Sequence, residues 1–197
     1  MNGKFLLNNN LEKFIGKKTL IYGETNTNKT YYTAKFVQYL IEKKKIPPKE
    51  ITILDFGPEM IKINDKKIGG RIKDFYKLSK ICRNIQFKGK IIPPRLNANN
   101  SIELLKNVCE NFKKTNSILQ QFYKKPTQFL IINDLSIHLH LGNPRIFLRI
   151  IKNAQTFFGN SYYGSSIKSN EFKLFSLVEK KKIEFLIQKF DLSIFTG

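Results

Sequence analysis

A strand–loop–helix pattern near the N-terminus constrains the fold of this chain more than any other feature. A short apolar run, Leu20 to Tyr22, is followed by the segment GETNTNKT at residues 23–30. Such a run directly before a glycine is typical of a buried parallel strand. Beyond the loop, apolar residues recur at helical spacing until a lysine run and two prolines: Ala34, Phe36, Val37, Leu40 and Ile41. The sequence therefore predicts a strand over residues 19–22, a tight loop, and a helix over about residues 29–42.

The loop contains most of a phosphate-binding pattern. In G-x-x-x-x-G-K-[ST], backbone amides surround the β-phosphate, the lysine neutralises charge on the phosphate oxygens, and the hydroxyl binds Mg²⁺. Gly23, Lys29 and Thr30 occupy these three positions, and a helix that starts at the lysine directs its N-terminal dipole at the phosphate. We therefore assign nucleotide binding to eight consecutive residues: Gly23, Glu24, Thr25, Asn26, Thr27, Asn28, Lys29 and Thr30.

Asn28 stands where the pattern has its second glycine. Glycine is used where φ is positive or where a ligand nearly touches the backbone. Asparagine is the least costly substitute, because it adopts the left-handed region more readily than other residues with a side chain, aspartate excepted. The alternative interpretation is a Thr/Asn-rich turn between a strand and a helix, with no ligand.

Length and composition limit the class of protein. With 197 residues the chain can bury one substantial core, so we expect a single domain over residues 1–197. No apolar run is long enough to cross a membrane and no signal-peptide pattern is present, so we expect a cytoplasmic protein without membrane contact. Cys82 and Cys109 have neither the density of a disulfide framework nor metal-ligand spacing, which predicts reduced thiols.

The chain is strongly basic. It has 35 Lys and Arg residues against 15 Asp and Glu, a formal charge of +20 and a pI near 9.9. Such values commonly accompany contact with nucleic acid, which makes DNA or RNA a candidate partner. Lysine is also spread along the whole chain together with abundant Ile, Asn and Phe, as a general compositional bias would produce. Charge alone leaves both interpretations open.

Strand and helix patterns alternate along the chain. This alternation predicts an α/β fold, a three-layer αβα sandwich with a mainly parallel sheet. Residues 60–97 are less regular, and we expect an excursion there with a hairpin or edge strand near residues 85–92. The helix at residues 101–122 has a predicted apolar face: Ile102, Leu105, Cys109, Phe112 and Leu119. Further strands are expected at residues 51–55, 129–134, 156–158 and 192–195, and further helices at residues 144–153 and within 170–189.

The strand at residues 129–134 supplies the second half of the predicted site. Four apolar residues precede Asn133 and Asp134. In phosphate-loop enzymes a carboxylate at the tip of a core strand holds the Mg²⁺ shell and faces the loop hydroxyl. We therefore assign Thr30 and Asp134 to Mg²⁺. An ordinary strand-end aspartate that opens a turn is the alternative.

This order of parts resembles a RecA-like P-loop ATPase, in which an extra strand separates the loop strand from the Asp-bearing strand. Three details are similar to the FtsK/HerA branch, whose members pump or remodel DNA: DFGPE at residues 55–59, PRLN at residues 94–97, and Asn160 at a strand end. The resemblance covers most of residues 17–165. It implies ATP and Mg²⁺ as ligands and Asn160 as the sensor of the γ-phosphate.

Two positions depart from that family. One is Asn28, and the other is Leu135, where many members have the glutamate that activates water. The resemblance then implies that Glu59 or Glu24 supplies the base, because RecA-type enzymes often take it from the second strand, and we assign the role to Glu59. Without a positioned base, such a protein binds nucleotide and hydrolyses it slowly. Members of the branch normally form hexameric rings, so a homo-oligomer remains open.

Three further groups have two interpretations each. His138 and His140 are either metal ligands or loop residues near the nucleotide or a partner. Arg145 and Arg149, one helical turn apart, either clamp phosphate or form a solvated helix face. Residues 162–168, with two tyrosines, a glycine and Lys168, either contact nucleic acid or form a strand that leads into a polar loop.

The leading hypothesis is an ATP-binding, slowly ATP-hydrolysing protein that acts on nucleic acid or on a protein complex. A small-molecule or nucleotide kinase is the first alternative, but the arginines that a kinase lid needs are scattered here. The second alternative is a nucleotide-binding scaffold without catalysis, which Asn28 and Leu135 motivate.

Overall fold

Six parallel strands form the central sheet. The computed structural model describes residues 7, 9–63, 66–167 and 172–197, with the backbone alone for residues 61–63 and 66–68. The strands follow the order β5-β2-β6-β7-β1-β8, and every neighbouring pair is parallel. Their bounds are β1 Lys18–Gly23, β2 Ile51–Asp55, β5 Arg83–Asn84, β6 Phe129–Asn133, β7 Thr156–Tyr162 and β8 Leu192–Phe195.

Helices connect most of these strands. The α-helices are α1 Lys29–Gln38, α2 Ile72–Phe75, α3 Ser101–Lys124, α4 Leu135–Leu139, α5 Pro144–Ile151 and α6 Lys173–Ile187. Helix α1 continues as a π-helix over Tyr39–Lys43, and short 3₁₀ turns occur at Leu11–Phe14, Pro48–Glu50, Lys77–Ile81 and Pro94–Leu96. Strands β3 Ile61–Ile63 and β4 Lys66–Ile68 form a separate antiparallel hairpin.

Apolar cores lie on both faces of the sheet. Alternate residues of a strand point to opposite faces, and β6 divides in this way: Leu130 and Ile132 join the core formed with α3, α4, α5 and α6, whereas Phe129 and Ile131 join the core formed with α1. The predicted α/β fold with a parallel sheet is confirmed, and the arrangement is consistent with a three-layer sandwich.

The predicted apolar face of α3 was right only in part. Leu119 is buried, but Ile102 and Leu105 are 82% and 55% exposed. The buried side of the helix is mostly apolar, and it also contains the polar residues Asn111 and Thr115. Asn111 bonds both backbone groups of Ile92, at 2.7 and 3.1 Å. Hydrophobic periodicity could not detect the polar part of this face, because a polar side chain can be buried wherever its hydrogen bonds are satisfied.

The irregular excursion also differs from its prediction. Its hairpin lies upstream, at β3 and β4, and its edge strand β5 ends at Asn84, so the expected strand near residues 85–92 is absent from the described chain. Strand β7 extends to Tyr162, which places Asn160 inside the strand and not at its end. No helix of the described residues is long and apolar enough to cross a membrane.

Candidate nucleotide-binding site

The carboxyl ends of β1, β6 and β7 meet the N-terminus of α1 at a cavity of about 300 Å³. Ligands of open parallel sheets commonly bind outside the carboxyl ends of the strands. The loop between β1 and α1 contributes residues 25–30 to the lining. Residues in or after the neighbouring strands contribute further polar lining, among them Asn133, Asp134, Ser136, His140 and Asn160.

The loop has the backbone that its sequence pattern requires. Asn28 has φ 62° and ψ 19°, in the left-handed region, and its carbonyl accepts the first helical hydrogen bond, from Tyr32, at 2.9 Å. At Gly23, φ is 154°, and a Cβ added there would lie 2.8 Å from Thr196 Oγ1. A side chain would therefore collide where the strand turns into the loop, whereas asparagine fits the second glycine position.

Lys29 lies inside this loop. Its ammonium donates hydrogen bonds to the Glu24 carbonyl and, at 3.3 Å, to Thr27 Oγ1. Burial lowers the pKa of Lys29 to about 8, although the charges of Asp134 and Glu24 oppose this shift. A buried cation of this kind gains strongly from an added anion, because the surroundings only partly replace its lost hydration.

The Thr30 hydroxyl contacts Asn133 and not Asp134. Thr30 Oγ1 donates to Asn133 Oδ1 at 3.1 Å, and the Asn133 amide donates to Asp55 Oδ1 at 2.7 Å and to the Gly70 carbonyl at 2.9 Å. Asn160 donates to the same Asn133 oxygen at 2.8 Å. Asn133 was not predicted as a site residue. The end of the apolar run could have revealed it, since β6 ends at Asn133.

Asp134 nevertheless reaches the same cavity. Its backbone is left-handed, with φ 57° and ψ 61°, and its amide donates to Asn160 Oδ1 at 3.1 Å. Its carboxylate accepts from Ser136 Oγ at 2.8 Å. Burial raises the pKa of Asp134, and the Ser136 hydrogen bond and the charge of Lys29 oppose that rise. The structure thus brings Lys29, Thr30 and Asp134 to one cavity.

The two glutamates considered as the base are both engaged elsewhere. Glu59 forms an ion pair with Lys90 at 3.0 Å, and half of its side chain is exposed. The Glu24 carboxylate accepts hydrogen bonds from the amides of Ser165 and Ser166. Although desolvation raises the pKa of Glu24, the hydrogen bonds from Ser166 and Ser165 lower it below its ordinary value. Neither glutamate is among the residues that line the cavity beside the loop.

Asp55 adds a buried carboxylate beside Asn133. Desolvation raises its pKa to about 6, against hydrogen bonds from Asn133 and from the backbone of Ile72 and Gly57. This residue belongs to the DFGPE segment of the family resemblance, but its contacts identify it as a support of Asn133. Its role is therefore to orient the strand tip that contacts Thr30.

The remaining residues singled out in the sequence have different positions in the structure. His138 is a core residue of α4, where its Nδ1 bonds Thr115 Oγ1 at 3.1 Å and burial lowers its pKa to about 4. His140 follows the same helix and lines the cavity. Arg145 and Arg149 are exposed on α5, as the solvated-face interpretation expects. Lys168 lies outside the described residues.

The oxygen atoms around Thr30 suit Mg²⁺, which needs few protein ligands, better than they suit a metal ion that is held entirely by protein side chains. Mg²⁺ usually keeps several waters and binds one or two carboxylates together with phosphate oxygens. Within residues 7, 9–63, 66–167 and 172–197, no group of three or more His, Cys, Asp or Glu could hold a metal ion. The Thr30 hydroxyl and the Asp134 carboxylate could hold Mg²⁺ only together with further oxygen ligands, such as waters or phosphate oxygens.

No protein-family model matches the chain, and a search of curated proteins gives no significant match either.

Proposed function

We propose that this chain is a RecA-like P-loop protein that binds ATP with Mg²⁺ and hydrolyses it slowly. The observation that carries the proposal is the convergence of three features on one cavity: the left-handed Asn28, the half-buried Lys29 at the start of α1, and the Asp134 carboxylate. Backbone amides at a helix N-terminus together with a buried ammonium favour a polyphosphate.

The order of the strands supports the RecA-like assignment. In the family, an extra strand separates the loop strand from the Asp-bearing strand, and here β7 lies between β1 and β6. This arrangement brings Asn160 of β7 between Thr33 of α1 and Asn133, with hydrogen bonds of 2.8 Å to each. The Asn160 side chain also accepts a hydrogen bond from the backbone amide of Asp134. Its role in the proposed site is therefore to orient Thr33, Asn133 and Asp134 more than to sense the γ-phosphate.

Each residue then has a defined role. Lys29 would neutralise charge on the phosphate oxygens of a bound nucleotide, and Thr30 and Asp134 are the residues that would hold Mg²⁺. ATP with its cation supplies the transferable phosphoryl group, and the loop amides orient it. We expect slow turnover, because neither Glu59 nor Glu24, the carboxylates that the family resemblance suggests as the base, lines the cavity.

The proposed target is nucleic acid, or a protein complex that contains it. The formal charge of +20 favours a polyanion. The segment after β7 also connects a candidate contact surface to the loop, since Thr25 Oγ1 lies 3.2 Å from Ser166 Oγ and Glu24 is bonded to the same residue. A polyanion bound at this segment would therefore act on the nucleotide loop directly.

Phosphate release from Mg²⁺–ATP, with and without DNA or RNA at low salt, tests this proposal. We expect slow release that nucleic acid accelerates and that falls to background in Lys29→Ala, while the exposed Lys13→Ala control keeps the parent rate. Release that is unchanged in Lys29→Ala would refute the loop as the site. Formation of ADP without free phosphate, in the presence of a small alcohol, would favour a kinase instead.

A further inference from the structure

A buried ionic network lies beside the nucleotide loop. Arg95 Nη1 is 2.8 Å from Glu179 Oε2, and His140 Nε2 is 3.0 Å from Glu179 Oε1. The three side chains are 7%, 4% and 1% exposed for Arg95, Glu179 and His140 respectively. Removing charges from water is costly, and apolar residues of similar volume often stabilise a core as well or better. Stability alone therefore does not explain this network.

The second ring nitrogen of His140 distinguishes the network from an ordinary buried ion pair. His140 Nδ1 is buried and has no hydrogen-bond partner among the described residues. A buried polar atom left in this state is destabilising, because its lost hydrogen bonds to water are not replaced. His140 also lines the cavity that contains Lys29 and Asp134. The residue that carries the unpaired nitrogen is thus one of those that line the proposed site.

Glu179 fixes which nitrogen of His140 carries the proton. Although desolvation raises the pKa of Glu179, the charges and hydrogen bonds of His140 and Arg95 lower it below its ordinary value. An ionised carboxylate only accepts hydrogen bonds, so His140 Nε2 carries a hydrogen. The Nε2–H group donates to Glu179 in both protonation states of the ring, but only the neutral ring leaves Nδ1 free to accept a proton, which is what a general base requires.

We propose that His140 Nδ1 accepts the proton of the water that attacks the terminal phosphate, with Glu179 and Arg95 as positioning residues. The inference rests on the proposed function, because it needs a nucleotide on the loop. The water oxygen bonds to the terminal phosphorus, the bond from that phosphorus to the bridging oxygen breaks, and the water proton passes to Nδ1. Nucleoside diphosphate and phosphate leave, and Glu179 stabilises the imidazolium.

Charged groups on all sides of His140 contribute to this proton transfer. Glu179 accepts a hydrogen bond from Nε2, Arg95 pairs with Glu179, and Asp134 interacts electrostatically with the ring. Lys182 donates to the His140 carbonyl at 3.1 Å and to the Leu139 carbonyl at 2.7 Å. Removing the charge of Glu179 therefore disfavours the imidazolium, whereas removing the charge of Arg95 favours it.

Imidazole nitrogen NMR tests the acceptor directly. The chain has two histidines, and loss of one signal set in His140→Gln assigns them. At pH 8 we expect the Nε2–H tautomer for His140, and we expect saturating Mg²⁺ with a non-hydrolysable ATP analogue to shift its Nδ1 resonance but not that of His138. An Nδ1–H tautomer would overturn the proposal, as would an unmoved Nδ1 in protein that calorimetry shows to be saturated.

The pH dependence of phosphate release tests the roles of Glu179 and Arg95. It would not change in their variants if these residues had only a structural role. Relative to the parent, we expect the acid limb of the rate profile to be displaced in opposite directions, to lower pH in Glu179→Gln and to higher pH in Arg95→Met, because the first variant removes a negative charge and the second a positive charge. Arg95→Lys keeps the charge and serves as the control with an unmoved limb. Variants that lose rate or stability without opposite displacements would overturn the proposal.

Different results would contradict the proposed nucleotide function and the proposed role of His140. If the analogue does not bind, or if release is unaffected by Lys29→Ala, the nucleotide function itself is wrong and the role of His140 falls with it. If the analogue binds through Lys29 and the His140 resonance and acid limb stay in place, only the role of His140 is wrong.

Discussion

If the proposed nucleotide binds at Lys29, we expect its affinity to depend on pH in a range where an ordinary lysine does not titrate. The pKa of Lys29 is lowered from 10.5 to about 8, with desolvation as the main cause. Bound phosphate favours the charged form, so nucleotide binding raises this pKa again. The complex therefore takes up a proton from solvent when it forms above pH 8, and affinity falls as the pH rises.

The size of this effect follows from the titration. With a pKa of about 8, roughly nine-tenths of Lys29 is charged at pH 7 and about one-tenth at pH 9. If only the charged form binds Mg²⁺–ATP, the affinity falls about tenfold between these values, which is about 1.4 kcal/mol. The nucleotide contributes little, because its terminal phosphate, with a second pKa of about 6, is already ionised in this range.

Isothermal titration calorimetry at pH 7, 8 and 9, in two buffers of different ionisation enthalpy, measures both the affinity and the proton uptake. Lys29→Arg is the matched control, because its guanidinium stays charged throughout this range. We expect the parent to lose affinity and to take up close to one proton at pH 9, while Lys29→Arg does neither. An affinity that is constant in the parent, or that falls equally in Lys29→Arg, would refute the reasoning.

Three other predictions concern stability and the residues around the loop. Asn28→Ala lowers the free energy of unfolding by about 1 kcal/mol and Asn28→Gly by less, because the position is left-handed; equal values in urea titrations would contradict this. Asn133→Asp, which puts a second buried carboxylate against Asp55, lowers the melting temperature in chelator and gains more from Mg²⁺ than the parent does; an equal gain would argue against cation binding here. Glu179→Ala lowers the free energy of unfolding by about 3 kcal/mol or more, since it leaves Arg95 buried and unpaired. Its counterpart Glu59→Ala leaves both stability and phosphate release unchanged. A loss of phosphate release in Glu59→Ala would restore Glu59 as the base.

The sequence predicted the elements whose signal is local. The strand β2 and the strand β8 have the expected bounds, and α1 begins at Lys29 as predicted, because apolar runs, a loop and proline boundaries are all visible within a few residues. The two-residue strand β5 and the hairpin of β3 and β4 are too short for such a pattern. Their pairing depends on neighbours that lie far away in sequence.

The partners within the site were harder to predict than its members. Lys29 and Asp134 were found from the loop and the strand tip, but the contact of Thr30 with Asn133 depends on a difference of one residue in where β6 ends. A shift of one residue along a strand reverses the face to which a side chain points. The link from His140 to Glu179 joins residues 39 positions apart, and nothing in the local sequence indicates it.

The central claim, that residues 23–30 hold a triphosphate, is tested most directly by thermal unfolding with and without saturating Mg²⁺–ATP at pH 7. A ligand that binds only the folded state raises its stability by about 2.7 kcal/mol at a hundredfold excess over the dissociation constant. We predict a clear rise in melting temperature for the parent and for the Lys13→Ala control, and none for Lys29→Ala. A parent that is not stabilised, or a Lys29→Ala protein that is stabilised equally, would contradict the account.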